Sequence, residues 1–145
     1  MARLLDTNLL IALGDQDHVH HRASRKWFQT ISADGWATCP ITENGFLRVL
    51  SNPKYPGCPG PPVRVLPLLQ ALRQLPGHQF WSDELSIASD EVFTLAETTT
   101  SKAITDLYLL ALAVKRKGTL STFDTRIDSK CVSGGSAALE VLESV

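Results

Sequence analysis

From Ala103 to Val114 the chain reads Ala-Ile-Thr-Asp-Leu-Tyr-Leu-Leu-Ala-Leu-Ala-Val, and Asp106 is the only charged side chain in that run. Residues 102–117 form the strongest helix in the sequence, with Gly118 to end it. On that helix the neighbours of Asp106 at i−3, i+3 and i+4 are Ala103, Leu109 and Leu110, so its face is not a solvated stripe. A buried, unpaired carboxylate is costly and must find a partner. The competing explanation is its place near the helix N-terminus, where the dipole favours an acid.

The remaining segments alternate short apolar strands with helices. Residues 2–5 read as a strand that ends at Asp6. Thr7 and Asn8 are favoured cap types, and residues 9–13 form a short buried helix stopped by Gly14. Residues 18–31 are helical, with Ala23, Trp27, Phe28 and Ile31 on one face and Arg22, Arg25 and Lys26 on the other. Residues 36–39 are the second strand, ended by Pro40, and a helix follows over 42–50 with Glu43 in its first turn. Residues 52–62 contain Pro53, Pro56, Pro59, Pro61 and Pro62, a composition that no helix or central strand survives. A leucine-rich helix over 63–75 is kinked at Pro67. A short strand at 78–81 and a short helix or two over 89–97 come next. Residues 119–123 form a strand ending at Asp124, and the tail from 131 to 145 adds one strand and a last turn.

A chain of 145 residues is one domain, spanning 1–145. Strands alternating with helices predict an α/β fold, a three-layer α/β/α sandwich around a central, mainly parallel sheet. Ligands in such folds bind beyond the carboxyl ends of the strands, where Asp6 and Asp124 stand. Each acid has an ordinary explanation taken alone: a cap for Asp6, a helix first turn for Glu43 and Asp106, a strand-to-loop corner for Asp124. Taken together, Asp6, Glu43, Asp106 and Asp124 converge on one edge of the sheet. Four carboxylates in one cleft repel one another unless cations intervene, and hard divalent ions such as Mg²⁺ or Mn²⁺ prefer oxygen donors. Asn8 completes such a site. The Thr122 hydroxyl orients a water or phosphate oxygen, or is an ordinary strand-end threonine. Arg48, one turn beyond Glu43, pairs with a carboxylate or holds a phosphate.

The formal net charge of −1 excludes binding of a polyanion by bulk positive charge, leaving local basic patches or metal ions. Three cysteines, Cys39, Cys58 and Cys131, give neither an even count nor a Cys-x-x-Cys pair. A disulfide framework and a cysteine-rich zinc site are therefore not expected, and a reducing cytoplasm is the simplest setting. The first residues leave no room for a signal peptide, and no apolar run reaches the roughly 20 residues of a membrane span. His18, His20 and His21 lack a second ligand cluster and belong to the surface. Trp27, Trp36 and Trp81 read as core or dimer-interface residues.

Leu4-Leu5-Asp6-Thr7-Asn8 resembles the opening motif of PIN domains. Thr42-Glu43-Asn44-Gly45-Phe46-Leu47-Arg48 resembles their second acidic segment, Ile104-Thr105-Asp106-Leu107-Tyr108-Leu109 the third, and Ser121-Thr122-Phe123-Asp124 the fourth. The four occur in the family's order over nearly the whole chain, and the length is similar to that of VapC toxins from bacterial toxin–antitoxin pairs. The resemblance implies an endoribonuclease that needs Mg²⁺ or Mn²⁺ and acts on tRNA or ribosomal RNA. It also implies a homodimer and an inhibiting VapB-like antitoxin. Arg22, Arg25 and Lys26 are then either a solvated face or an RNA-facing patch, and Asp128 is a candidate further acid. Two alternatives stay open. One is a phosphatase of the haloacid-dehalogenase kind, although such enzymes usually carry a second aspartate where this chain has Asn8. The other is a non-catalytic PIN-like module that binds RNA or a partner.

Overall fold

A computed structural model describes residues 1–143. Strand β1 (Arg3–Leu5) places Leu4 and Leu5 on opposite faces of the sheet, and neither is exposed to solvent. With a side-chain period of two, burial of adjacent residues means that both faces are covered. Trp36 and Ala37 of β2 (Trp36–Thr38) repeat the pattern. With β3 (His78–Phe80), β4 (Thr119–Thr122) and β5 (Leu139–Val141) they form a parallel sheet in the order β3-β2-β1-β4-β5.

Helices α1 (Thr7–Gly14), α2 (His21–Ile31), α3 (Pro40–Leu50) and α4 (Pro62–Arg73) cover one face around Leu5, Phe28, Trp36, Phe46 and Leu69. Helices α5 (Ile104–Lys115) and α6 (Gly135–Ala138) cover the other, around Leu4, Ala37, Leu110 and Leu120. Residues 107–113 of α5 are all buried, as a helix apolar on every side demands. The architecture is the expected α/β/α sandwich.

Strand order reverses between β1 and β4. Successive strands leave β1 first toward β2 and β3, then return to β4 and β5 on its other side. Crossover helices therefore diverge at this point and leave a crevice at the carboxyl ends of the two strands. Asp6 directly follows β1 and Asp124 lies two residues beyond β4.

Several boundaries differ from expectation. Helix α1 starts at Thr7, so Thr7 and Asn8 are its first helical residues and Asp6 is its cap. Helix α2 starts at His21 rather than residue 18. Pro40 does end β2, but it also opens α3, because proline suits the first helical position where no N–H is needed. Helix α4 runs from Pro62 to Arg73 with Pro67 inside it. Helix α5 is preceded by a 3₁₀ turn at Ser101–Ala103.

The helix expected over 89–97 is absent. Ser86 N–H bonds to the Asp90 carboxylate at 2.6 Å, Ala88 N–H to the Ser86 hydroxyl at 3.2 Å and Ala96 N–H to the Thr99 hydroxyl at 2.9 Å. Such local side-chain bonds satisfy backbone donors and compete with helix formation. The segment is pinned by a single bridge from Phe93 to Val132. Of the expected tail, residues 144 and 145 lie outside the described part. Among the described residues no helix is long and apolar enough to cross a membrane.

Candidate active site

Asp6 is only 5% exposed. Its Oδ1 accepts from Thr7 N–H at 2.7 Å and its Oδ2 from the Thr122 hydroxyl at 2.7 Å. That hydroxyl in turn accepts from Asp124 N–H at 3.0 Å. One buried threonine at the end of β4 thus ties the acid after β1 to the loop that carries the acid after β4. Burial pushes the Asp6 carboxyl up, the bonds from Thr122 and Thr7 pull it down, and the charge of Asp124 pushes it up again.

Asp106 occupies the first turn of α5 and is partly buried. Burial, and then the charges of Asp6 and Asp124, raise its carboxyl to about 6, with Arg126 acting in the opposite direction. Asp124 shifts the other way. Arg126 donates to it from Nε at 3.1 Å and from Nη2 at 3.5 Å, and this pairing lowers its carboxyl against the effect of burial. Arg126 is 88% exposed, so the pair contributes little to folding. Asp106, Asp124 and Arg126 line one cleft of about 160 Å³ together with Thr100 and Lys102.

Asp106 feels the charges of Asp6 and Asp124, and Asp6 feels that of Asp124, whereas Glu43 is engaged elsewhere. Its Oε2 accepts from the Thr38 hydroxyl at 2.6 Å, its Oε1 lies 3.5 Å from Arg73 Nη1, and its charge acts on His78. Thr38 at the end of β2 and Arg73 on α4 thus claim Glu43, which leaves Asp6, Asp106 and Asp124 as the acids linked by charge. Asp128 also stays apart, capping the 3₁₀ turn Ser129–Cys131 through Lys130 N–H at 3.1 Å.

Helix α3 nevertheless reaches the site by another residue. A Cβ on Gly45 would lie 2.8 Å from Thr7 Cγ2, so only glycine lets α3 come this close to the start of α1. Beside that approach, Asn44, Arg48, Thr7, Thr105 and Asp83 line a cleft of about 360 Å³. Arg48 is exposed there and makes no ion pair among the described residues. Asn8 lies on the other side, in a cleft of about 470 Å³ with His18, His20, Phe123, Asp124 and Arg126. Arg22 and Lys26 are exposed, and Arg25 lines an apolar groove with Leu13, Phe28 and Leu72 rather than the aspartates. Trp36 and Trp81 belong to the core, while Trp27 is partly buried.

Sequence reasoning passed over Arg126, Lys102, Thr38, His78 and Asp83. The spacing of Arg126 two residues after an acid in a turn was the one available signal, since such a pair closes on itself.

The donor set suits a hard divalent cation. It consists of carboxylate oxygens, with Asp106 raised partly by the charges of Asp6 and Asp124 and Asp6 partly by that of Asp124, and a cation among them would relieve that repulsion. Among the described residues no three His, Cys, Asp or Glu side chains are grouped so that they could hold a metal ion as they stand.

Replacing Thr122 with valine keeps the shape but removes the hydroxyl, leaving Asp6 Oδ2 and Asp124 N–H without their partner. A loss of about 1–3 kcal/mol is expected in urea unfolding, with Thr122→Ser close to wild type. A valine variant as stable as wild type would show that these two bonds contribute nothing.

The PIN domain family matches residues 3–132. Ribonuclease VapC44 of Mycobacterium tuberculosis is 42% identical over 92% of this chain and 94% of its own length. Ribonuclease VapC39 of the same organism is 38% identical over 92% and 96%, and Ribonuclease VapC38 is 42% identical over 86% of each. Among solved structures, VapBC2 from Rickettsia felis, bound to a DNA fragment from its promoter, superposes with a TM-score of 0.62 at 12% identity. That likeness covers 99% of this chain and 100% of the other, and it concerns the fold.

Proposed function

Because the chain belongs to the PIN domain family, we propose that it is a VapC-type endoribonuclease, the toxin of a toxin–antitoxin pair, that needs Mg²⁺ or Mn²⁺. The observation that carries the reading is the trio Asp6, Asp106 and Asp124, coupled by charge at the point where strand order reverses. Full-length relatives named as ribonucleases support the same activity. The phosphatase alternative falls away with the family assignment. A module that only binds RNA has no use for buried acids held at a cost.

Asp6, Asp106 and Asp124 hold the cation, and Glu43 joins them only by giving up Thr38 and Arg73. Bound there, a divalent ion offsets the negative charge that builds on the attacked phosphate. The chain supplies the rest. Thr122 and Thr7 N–H fix both Asp6 oxygens in one orientation, so its geometry is set before substrate arrives. Arg48 and Asn8, on the two sides of the acids, are placed to bind phosphate oxygens. Arg126 holds Asp124 in the absence of substrate and is exposed enough to turn toward a phosphate instead. In-line attack of water on phosphorus then leaves a 5′-phosphate and a 3′-hydroxyl.

Residues 1–145 act as one nuclease domain, in the cytoplasm. The substrate is tRNA or ribosomal RNA. A VapB-like antitoxin silences the enzyme, and the apolar groove of Leu13, Phe28, Leu68 and Leu72 between α1, α2 and α4 is suited to an amphipathic segment of it. Exposed Val63 and Leu66 on α4 favour a homodimer.

The test is RNA cleavage by the purified protein. Cleavage is expected with Mg²⁺ or Mn²⁺, lost in EDTA and restored by adding back the ion. Undiminished cleavage in chelator would contradict the metal requirement.

A further inference from the structure

His18, His20 and His21, at the start of α2, do not form a metal site. His18 Nδ1 accepts from His20 N–H at 3.0 Å, and His21 Nδ1 bonds to the Ala12 carbonyl at 2.8 Å. The first bond requires an unprotonated Nδ1, so the His18 ring is neutral with its proton on Nε2. Burial and the neighbouring His20 favour the neutral form too. His20 makes no side-chain cap on α2. Its ring lies on that of Phe123, with centroids 4.7 Å apart and planes 29° apart. His18 is tilted against it at 5.6 Å.

These rings line the 470 Å³ cleft with Asn8, Asp124 and Arg126, and its volume is that of a small-molecule site. Asp124 and Arg126 also line the cleft of Asp106, so the two clefts share a wall at the acids. A ribonucleotide whose phosphate lies at the aspartates therefore has its neighbour beside the ring pair. We propose that this cleft is a base-stacking subsite. It holds one unpaired nucleotide next to the scissile phosphate, with His20 and Phe123 as its floor. The inference rests on the ribonuclease reading above.

The chemistry of the lining fits that occupant. Aromatic and imidazole faces accept any nucleobase by stacking. The His18 Nε2–H and the Asn8 amide offer donors and an acceptor to a base edge, and Arg126 offers a cation to the adjoining phosphate. The net charge of −1 leaves such local contacts, rather than bulk charge, to provide affinity for RNA. A paired base has both faces covered within its duplex, so the subsite selects single-stranded RNA.

The experiment compares wild type, His20→Ala and His20→Phe. Binding is read by fluorescence anisotropy in EDTA, with a 5′-labelled 12-nucleotide single-stranded RNA of mixed sequence and the same strand in a duplex. Turnover of the single strand is measured in Mn²⁺. His20→Ala is expected to weaken single-strand binding and raise KM by about tenfold, with kcat and duplex binding changed less than about twofold. His20→Phe, which keeps a stacking face, is expected to remain near wild type. Equal melting temperatures confirm that all three are folded. Unchanged single-strand binding and KM in His20→Ala overturns the subsite. So does equal weakening on single strand and duplex. If wild type cleaves no RNA in any divalent ion, the ribonuclease reading itself fails. If wild type cleaves and His20→Ala does so identically, the subsite alone fails.

Discussion

Asp106→Asn is expected to lower RNA cleavage at least about a thousandfold, ~4 kcal/mol of barrier, and to make the metal-free protein more stable above pH 6. Both effects come from one carboxylate. The folded group titrates at about 6, because burial and the charges of Asp6 and Asp124 oppose its ionisation. In the unfolded chain it titrates near 3.9. Between about pH 4 and 6 the folded state therefore holds a proton that the unfolded state has lost. Stability conferred by this group falls as pH rises through that window, and the penalty is complete above it. Asparagine carries no charge and escapes the penalty. Because Asp106 is only partly buried, solvent screening reduces the gain to on the order of 1 kcal/mol. Urea midpoints of the two metal-free proteins should diverge between pH 4.5 and pH 7.5. A variant that unfolds more easily at pH 7.5, or one that cleaves RNA normally, would contradict the role given to Asp106.

Trp36→Ala is expected to cost about 3–5 kcal/mol of stability, a large part of the 5–15 kcal/mol that holds a typical domain folded. The side chain is fully buried in β2. Phe28 of α2 meets its ring edge-on at 5.2 Å, and the His78 ring of β3 meets it at 4.8 Å. Its Nε1 donates to the Pro76 carbonyl at 3.1 Å. The alanine variant leaves a cavity under α2, an unpaired carbonyl before β3 and a loosened β2, whose Thr38 holds Glu43. Trp36→Phe keeps most of the volume but loses the indole donor, and should lose roughly half as much. Chemical denaturation checks both. A loss below about 1 kcal/mol in Trp36→Ala would show that this face of the sheet is not held by the indole.

The layered fold was legible because adjacent apolar pairs such as Leu4 and Leu5 require cover on two sides, and the all-round apolar α5 requires burial. The position of Asp6 directly after β1, and of Asp124 just past β4, was legible from the same runs, which stop at an acid. Side-chain direction was not. Glu43 sits in a segment that resembles a family motif, yet a rotamer choice and two partners distant in sequence, Thr38 and Arg73, decide where its carboxylate goes. Periodicity carries no information about either. The segment 89–97 has apolar residues at helix-like spacing, but Asp90 turns back to the Ser86 N–H just before it and Thr99 takes the Ala96 N–H within it. Pro40 marks both the end of a strand and the first position of a helix, and only the first meaning was used. The spacing of Arg126 two residues after Asp124 was readable, but spacing alone does not tell a closed Asp–Arg pair from a solvated turn.

Binding of Mn²⁺, followed by the electron paramagnetic resonance of the free ion, tests most directly whether the three aspartates share one cation. Wild type is expected to take up the ion. Asp6→Asn, Asp106→Asn and Asp124→Asn are each expected to weaken it by at least about tenfold, and Glu43→Gln by less. Wild-type affinity in all three aspartate variants, or a larger loss in Glu43→Gln than in any of them, would contradict a metal centre built on Asp6, Asp106 and Asp124.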